Sequence, residues 1–330
     1  MMASITPKNL LERFLKHRKT HTAGQQSQLE APLLSRQAIF DLYYRVQDRF
    51  CTRENHYEVA HRMLGDNRSV YKGYGLDYEE SRPYQHGDEI RFMNWRVTAR
   101  TGQLTMKVYR EERRPGVFVL VDRRSSMRFG TRVRIKAAQA ARAAALVSFI
   151  AQKENAQVGG VILNDEPDWI PEGSGAHAAF SLVNQASKPC PPLTKNSSES
   201  VSLLYILKVM TRVLTKGSTV YLISDFHDLG DEYRAALLQL GLEHQIVALH
   251  IIDPAEIELP KAGQLIVSGT GSNPGRETSE SKIHSENKIL RNTFNQHASE
   301  YMKNKQKILT VAGITYQKIM SDAENIEREI

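Results

Sequence analysis

The stretch VFVLVDRRSSMRFG, residues 117–130, decides the fold class of this chain. Its first five residues are all apolar, which is typical of a strand buried on both faces of a parallel sheet. The strand ends at Asp122, and arginines and serines follow directly. Ligands of open α/β sheets gather at the carboxyl ends of the strands. The stretch therefore predicts a central strand with a polar site at its end.

Strand-like and helix-like segments alternate from this point onward. The strand-like segments are 117–121, 158–163, 167–173, 218–225, 244–252, 263–269 and 312–319. The helical segments are 131–155, 175–186, 201–214, 231–241 and 285–310. Residues 187–200 and 268–282 are polar and are expected to form loops. The alternation predicts an α/β fold, doubly wound, with a mostly parallel sheet covered by helices on both faces.

The chain before residue 117 has a different character. Residues 1–34 are polar and lack a clear period, which favours a loosely ordered segment. Residues 35–64 show apolar positions at helical spacing, and residues 65–116 are broken by glycines into short β-prone runs. We predict three parts: a loosely ordered segment 1–34, a helix plus a small β-rich module 35–116, and the α/β domain 117–330.

Composition narrows the class of protein. The longest apolar run of the 330 residues, 143–151, is too short to cross a bilayer, and the N-terminus lacks the apolar core of a secretory signal. Cys51 and Cys190 make neither a disulfide framework nor a metal site. The sequence alone therefore predicts a protein of the reducing cytoplasm, without a transmembrane segment.

The net charge of +7 is concentrated in one place. Seven basic residues and no acid lie between positions 123 and 142. We expect Arg128, Arg132 and Lys136 to contact an acidic partner protein. A nucleic acid is the alternative, disfavoured because no aromatic residues interleave with the charges. A plain solvated helix face is the other alternative.

Two acids follow buried strands. Asp122 follows residues 117–121, and Asp225 follows the apolar run that begins at 218. Two carboxylates with the nearby hydroxyls of Ser125 and Ser126 suit a hard cation such as Mg²⁺ or Mn²⁺. The alternative is that each acid caps the element that follows it. Because the two strands are expected to be neighbours, we favour a shared polar site.

Residues 71–127 resemble the signature of the domain of unknown function 58 family. The matching residues are Gly73, Gly75, Arg82, Tyr84, Gly87, Asp88, Arg91, Trp95, Ala99, Arg100, Gly102, Glu111 and Glu112. The segments at 222–226 and 253–260 are also similar. The resemblance implies a von Willebrand factor A-like domain. It also implies a partner, because such proteins usually accompany MoxR-type AAA+ ATPases and act as adaptors or assembly factors for a client protein.

The resemblance further implies a metal site with the pattern D-x-S-x-S. Asp122 and Ser126 occupy the first and last places, and Asp225 matches the late acid of the site. A loop threonine completes such sites, and Thr194 is the candidate here, with serines of the same 187–200 loop as alternatives.

Arg124 stands where the pattern has its middle serine. A guanidinium cannot ligate a cation and would repel one nearby. It can instead bridge Asp122 and Asp225 by charge-assisted hydrogen bonds. We therefore interpret the site as degenerate, with Arg124 replacing the metal and no cofactor required. The alternative is that Arg124 points to solvent and the site binds Mg²⁺ or Mn²⁺.

The small module has two interpretations. Trp95 and Arg91 are residue types favoured at interfaces, and together they could form a binding face. Alternatively, Trp95 is core, and Arg82 and Arg91 pair with the acids at 88 and 89 to fix turns. We favour the structural interpretation.

Enzyme motifs are missing from the chain. It has no GxxxxGK[ST] phosphate loop, no HExxH and no GxSxG. The predicted function is a non-enzymatic adaptor. The alternative is a phosphatase or hydrolase with Asp122 as nucleophile and Arg124 binding phosphate.

Overall fold

The computed structural model describes residues 31–49, 72–86, 88–110, 116–190, 201–269 and 279–328. The chain divides into two compact units. Residues 66–115 form the smaller unit, and residues 1–65 with 116–330 form the larger one. The predicted loose order of residues 1–30 and the loop 191–200 lie outside the described residues.

The elements are numbered along the chain. The helices are α1 (Arg36–Arg49), α2 (Trp95–Thr101), α3 (Lys136–Lys153), α4 (Gly175–Ala186), α5 (Leu203–Val213), α6 (Tyr233–Glu243), α7 (Pro254–Ile257) and α8 (Lys288–Val311). The strands are β1 (Lys72–Pro83), β2 (Thr105–Arg110), β3 (Gly116–Asp122), β4 (Gln157–Leu163), β5 (Pro167–Ser174), β6 (Thr219–Ser224), β7 (Gln245–Ile252), β8 (Gln264–Gly269), β9 (Ser279–His284) and β10 (Thr315–Met320). Short 3-10 turns occupy Ile90–Phe92, Ser125–Met127 and Ile326–Arg328.

Six of the described strands form the sheet of the larger unit. Their order is β10-β7-β6-β3-β4-β5, and all neighbouring pairs are parallel except β4 with β5. The strand order reverses between β3 and β6, which is the switch point where ligands of such sheets usually bind. The predicted α/β class with a mostly parallel sheet is confirmed.

Both faces of the central strand β3 are buried, as its apolar run predicts. Val117, Val119 and Val121 pack into one core with α3 and α4, while Phe118 and Leu120 pack into a second core with α5, α6 and α8. Fifteen of the eighteen residues of α3 are buried. Its many alanines follow from this position, because a helix enclosed on most sides has little room for large side chains.

Helix α1 corrects the predicted domain boundary. Its stripe of Ile39, Leu42 and Val46 is buried in the same core as β3 and α3. Tyr43 meets Phe149 of α3 edge-on, with ring centroids 5.3 Å apart. The helix therefore belongs to the larger unit rather than to the β-rich module, because α3 and α4 offer the apolar surface that its stripe needs.

The segment 263–284 also differs from expectation. Strand β8 does not join the main sheet but pairs antiparallel with β9. Strand β9 begins inside the segment 268–282 that is predicted as a polar loop and extends two residues beyond it. Its sequence, SESKIH, is almost entirely polar, so it carries no apolar alternation from which a strand could be read.

The smaller unit is a β-hairpin with a short helix between its strands. Strands β1 and β2 are antiparallel, and α2 precedes β2. Arg82 donates to both carboxylate oxygens of Asp88, at 2.8 and 2.6 Å, and Arg91 pairs with Glu89. The predicted pairing of Arg82 and Arg91 with the acids at 88 and 89 is confirmed.

Candidate functional site

The ends of β3 and β6 meet at one edge of the sheet. The strands are parallel neighbours, with Val121 opposite Ile223. Asp122 and Asp225 follow at this edge, and both are buried. The hydroxyl of Ser224 donates to Asp122 Oδ2 at 2.6 Å, so polar groups of the two strand ends are in direct contact.

Arg124 lies between two carboxylates. Its Nε and Nη2 donate to Asp122 Oδ1 and Oδ2 at 3.1 and 2.8 Å. Its Nη1 and Nη2 donate to Asp228 Oδ2 and Oδ1 at 2.7 and 3.1 Å. The arginine side chain is only 4% exposed. The alternative in which Arg124 points to solvent is therefore wrong.

The second acid bound by Arg124 is Asp228, not the predicted Asp225. Asp225 forms an ion pair with Lys136, the first residue of α3, instead. Its Nζ lies 2.5 Å from Asp225 Oδ2 and 2.8 Å from Glu256 Oε1. Lys136 thus brings a positive charge to Asp225 from another element, which leaves Arg124 to pair with Asp228.

A tight turn follows Asp225. Phe226 has a positive φ of 48°, which is unusual for a bulky residue and is often found at functional sites. The backbone N–H of His227 donates to Asp225 Oδ1 at 3.2 Å, and Ser126 Oγ donates to the same oxygen at 3.2 Å. His227 Nδ1 lies 3.1 Å from Ser126 Oγ. The turn and the serine after β3 therefore both supply hydrogen bonds to the carboxylate of Asp225.

The charges of the site shift its pKa values. Burial is the largest single influence and raises the pKa of Asp225, but the charge of Lys136, the contact with His227 and the charge of Lys305 together outweigh it and hold the pKa well below its usual range. Burial likewise raises the pKa of Asp228, but the hydrogen bonds and charge of Arg124, with smaller contributions from His227 and Tyr233, together outweigh it and lower the pKa to about 2. Both carboxylates are therefore ionised at neutral pH, as their cationic partners require.

Lys305 of α8 contacts the same turn. Its Nζ donates to the backbone carbonyl of Asp225 at 2.8 Å, and Tyr301 donates to the carbonyl of His227 at 2.6 Å. Burial lowers the pKa of Lys305 to about 8, although the carboxylates of Asp225 and Glu256 oppose the shift. A cavity of about 10 Å³, enough for about one water molecule, lies beside these groups.

The donor set does not fit a divalent cation. Asp122 is saturated by Arg124 and Ser224, and one oxygen of Asp225 is taken by Lys136. Within the described part of the chain, no group of three or more His, Cys, Asp or Glu residues is arranged to hold a metal ion. The predicted loop hydroxyl, Thr194, lies outside the described residues.

The basic stretch is largely internal, which overturns part of its predicted role. Arg128 and Lys136 are buried and cannot contact a partner protein directly. Arg128 Nε donates to the carbonyl of Arg123 at 3.1 Å. Arg123 is itself buried, and its guanidinium donates to the carbonyls of residues 185, 188 and 189. These cations serve as internal hydrogen-bond donors at the sheet edge.

Three of the predicted partner-binding residues remain at the surface. The side chain of Arg132 is 65% exposed and pairs with Asp322 at 3.0 Å. Arg91 is also exposed, and Trp95 is 62% exposed. The favoured interpretation of Trp95 as a core residue is therefore wrong.

Sequence reasoning missed Asp228, Glu256 and Lys305. Asp228 lies only three residues after Asp225, so the spacing of the two acids was a usable signal. Glu256 belongs to a capping box with Asp253 at the start of α7. The D-P-A-E pattern predicts that motif from the sequence. Lys305 lies on a helix rich in lysine, where nothing marks one residue as buried.

Curated relatives match two thirds of the chain. The proteins Mb1516 of Mycobacterium bovis and Rv1480 of Mycobacterium tuberculosis, both described as uncharacterized, are each 29% identical over 220 residues. The alignments cover 66% of this chain and 68% of each relative.

Solved structures show a more distant similarity. BatB from Bacteroides thetaiotaomicron is 14% identical, with 65% of this chain and 93% of that chain covered and a TM-score of 0.38. An aerotolerance-related membrane protein from Bacteroides fragilis is 16% identical, with 65% and 98% covered and a TM-score of 0.39. A membrane spanning protein from Vibrio fischeri is 15% identical, with 66% and 95% covered and a TM-score of 0.22.

The predicted cytoplasmic location is contradicted by these neighbours, two of which are named as membrane proteins, and it is not retained. No helix among the described residues combines the length and apolarity needed to span a membrane.

The family comparison agrees with the signature at residues 71–127. The model of the family described as protein of unknown function DUF58 matches residues 80–304, more than half of the chain. The match includes the helix α2 of the smaller unit and both strand ends of the polar edge. This chain therefore belongs to the DUF58 family.

Proposed function

We propose that this protein is a non-enzymatic adaptor whose larger unit is a von Willebrand factor A-like domain with its metal replaced by Arg124. The observation that carries the proposal is the buried guanidinium that binds Asp122 and Asp228 through four hydrogen bonds. A positive charge stands where the resemblance implies a cation, so the edge is held together without one.

The order of the strands supports the A-like assignment. Numbered by their sequence order within the main sheet, the strands run 3-2-1-4-5-6, with the third antiparallel. Asp122 ends the first of these strands and Asp225 follows the fourth. These are the two places at which the resemblance implies metal-binding acids.

The geometry gives little support to a hydrolase. Asp122 is fully buried, and both its oxygens accept hydrogen bonds from Arg124. A nucleophile must reach its substrate, and this carboxylate cannot. Nε, Nη1 and Nη2 of Arg124 are all engaged, so the guanidinium is not placed to bind a phosphate either.

Nucleic-acid binding through residues 123–142 is also poorly supported. Recognition of a phosphate backbone needs exposed cations. Arg123, Arg124, Arg128 and Lys136 are buried, which leaves the stretch without a continuous basic surface.

The proposed partners are a MoxR-type AAA+ ATPase and a client protein, and the support for them is the family resemblance. Affinity capture of the tagged full chain from its native cell, with and without a non-hydrolysable ATP analogue, tests this proposal. We expect recovery of a hexameric ATPase. Repeated capture without any ATPase under either condition would refute the adaptor function.

The replacement of the metal has a separate test. Titration calorimetry of the wild-type protein with Mg²⁺ and Mn²⁺ is expected to show no binding. Saturable binding with a dissociation constant on the order of micromolar, lost in an Asp122→Ala variant that keeps its circular dichroism spectrum, would contradict it.

A further inference from the structure

Helix α2 of the smaller unit presents one side to solvent. Trp95, Arg96, Ala99 and Arg100 are exposed, and their spacing places them on one side of the helix. The opposite side faces the hairpin, where Thr98 Oγ accepts a hydrogen bond from the N–H of Thr105 at 3.1 Å. We call these four exposed residues the α2 face.

The α2 face is held rigidly. Asn94 caps the helix by accepting from the N–H of Val97, and its own N–H donates to the carbonyl of Thr105 at 2.7 Å. The Asn94 side chain also donates to Ser81 Oγ at 3.0 Å. Gly102 ends the helix with φ of 72°, a left-handed conformation that suits glycine. Because the helix backbone is fixed at both ends, the backbone loses little conformational entropy when the face binds a partner.

The apolar character of this surface is unusual. A tryptophan is normally well buried, whereas Trp95 is mostly exposed. Ile90 and Leu104, close to α2 in sequence, are large apolar residues that are exposed as well. Tryptophan and arginine are the residue types most enriched among the energetic anchors of protein interfaces.

The charge of the α2 face indicates what kind of partner it fits. Asp88 is committed to Arg82, and Glu89 is committed to Arg91. No acidic side chain among the described residues forms an ion pair with Arg96 or Arg100. Arg96 and Arg100 are four residues apart on the helix, about one turn, a spacing that suits carboxylates one turn apart on a partner.

We propose that the α2 face binds an acidic segment of a partner protein. Carboxylates of that segment meet Arg96 and Arg100, and an apolar side chain packs on Trp95. The inference deepens the proposed adaptor function and rests on it for its biological role, since it names the surface and the chemistry of one partner.

Tryptophan fluorescence of the full-length protein tests the inference. Trp169 is the other tryptophan of the chain, so a Trp169→Phe background isolates the signal of Trp95. The probe is a synthetic helical peptide with glutamates four residues apart and a leucine between them. Its counterpart carries lysines in place of the glutamates. We expect a saturable shift of Trp95 emission with the first peptide only.

Charge reversal supplies the decisive comparison. The Arg96→Glu/Arg100→Glu variant is expected to lose about tenfold or more in affinity for the glutamate peptide. It should also gain affinity for the lysine peptide. The matched control is Lys208→Glu/Arg212→Glu, which reverses two exposed cations one turn apart on α5. This control should bind like the parent protein.

Other outcomes overturn the inference. Equal loss in both double variants would show a nonspecific charge effect. Binding to phosphatidylserine vesicles but not to the peptide, lost in the Arg96→Glu/Arg100→Glu variant, would make the face a membrane surface. If that variant still captures the ATPase and its client at wild-type yield, the α2 face fails while the adaptor function stands. If the glutamate peptide binds but no ATPase is captured, the α2 face stands as a binding surface while the adaptor function fails.

Discussion

The buried carboxylates at two neighbouring strand ends are neutralised by different cations. At the end of β3, Asp122 is neutralised by Arg124, two residues further along the chain. After β6, Asp225 is neutralised by Lys136, which lies 89 positions away. Arginine makes paired, planar hydrogen bonds, whereas lysine acts as a compact point charge. The pair of Arg124 with Asp122 thus forms locally, whereas the pair of Lys136 with Asp225 forms only when α3 docks on the sheet.

The two strand ends also differ in the solvent exposure of the second carboxylate that each cation binds. Arg124 also binds Asp228, whose side chain is 27% exposed, so water can stabilise this acid if the arginine is lost. Lys136 also binds Glu256, whose side chain is only 7% exposed. The end that depends on lysine therefore has less access to solvent and should tolerate the loss of its cation less well.

Lys136→Met should have the largest effect on stability. It leaves Asp225 and Glu256 buried without their shared cation, which should cost about 4–5 kcal/mol of the free energy of unfolding. Urea denaturation measures this loss. The double variant Lys136→Met/Asp225→Asn should recover part of it, because it removes one uncompensated charge. A loss below about 1 kcal/mol would show that the two acids are hydrated rather than paired.

Arg124→Met should cost less, about 3 kcal/mol, because Asp228 can turn to water while Asp122 cannot. The same urea experiment compares the two ends directly. Arg132→Met is the matched control, since it removes an exposed arginine from an ion pair with Asp322 and should cost about 0.5 kcal/mol or less. A larger loss for Arg124→Met than for Lys136→Met would reverse the comparison.

The locally assembled end was the predictable one. The apolar run before Asp122 predicted a buried strand, and the departure of Arg124 from the D-x-S-x-S pattern predicted that its guanidinium binds Asp122. Both inferences use residues within one short segment. The meeting of Asp122 with the Asp225 turn was also predictable, because it follows from the parallel order of apolar strands.

The end that depends on lysine was not predictable, for a physical reason. Nothing local distinguishes Lys136 from exposed lysines, because its burial depends on where α3 packs. A run of cations usually marks a solvated surface, and Arg128 was misassigned for that reason. The partner of Arg124 was misassigned because Asp225 could not be known to be occupied already by Lys136.

Acid should weaken the end that contains Arg124. Because the pKa of Asp228 is about 2 in the folded protein, below its value in the unfolded chain, its contribution is fully present above about pH 4. It is lost as the pH falls toward 2, and amounts to about 2 kcal/mol at most. Urea denaturation of wild type and Asp228→Asn between pH 5 and pH 2.5 should converge. Parallel curves would contradict the pairing with Arg124.

Alkali should act on the other end alone and produce the smallest effect. Arg124 stays charged, whereas Lys305, beside Asp225, has a pKa of about 8 in the folded protein. The unfolded chain then binds more protons than the folded protein between pH 8 and 9, so stability rises with pH by about 1 kcal/mol. Lys305→Met should lack this rise, while all other titrations remain common to both proteins. Identical pH dependence in the two proteins would mean that Lys305 titrates normally, and that the two strand ends do not differ in their response to alkali.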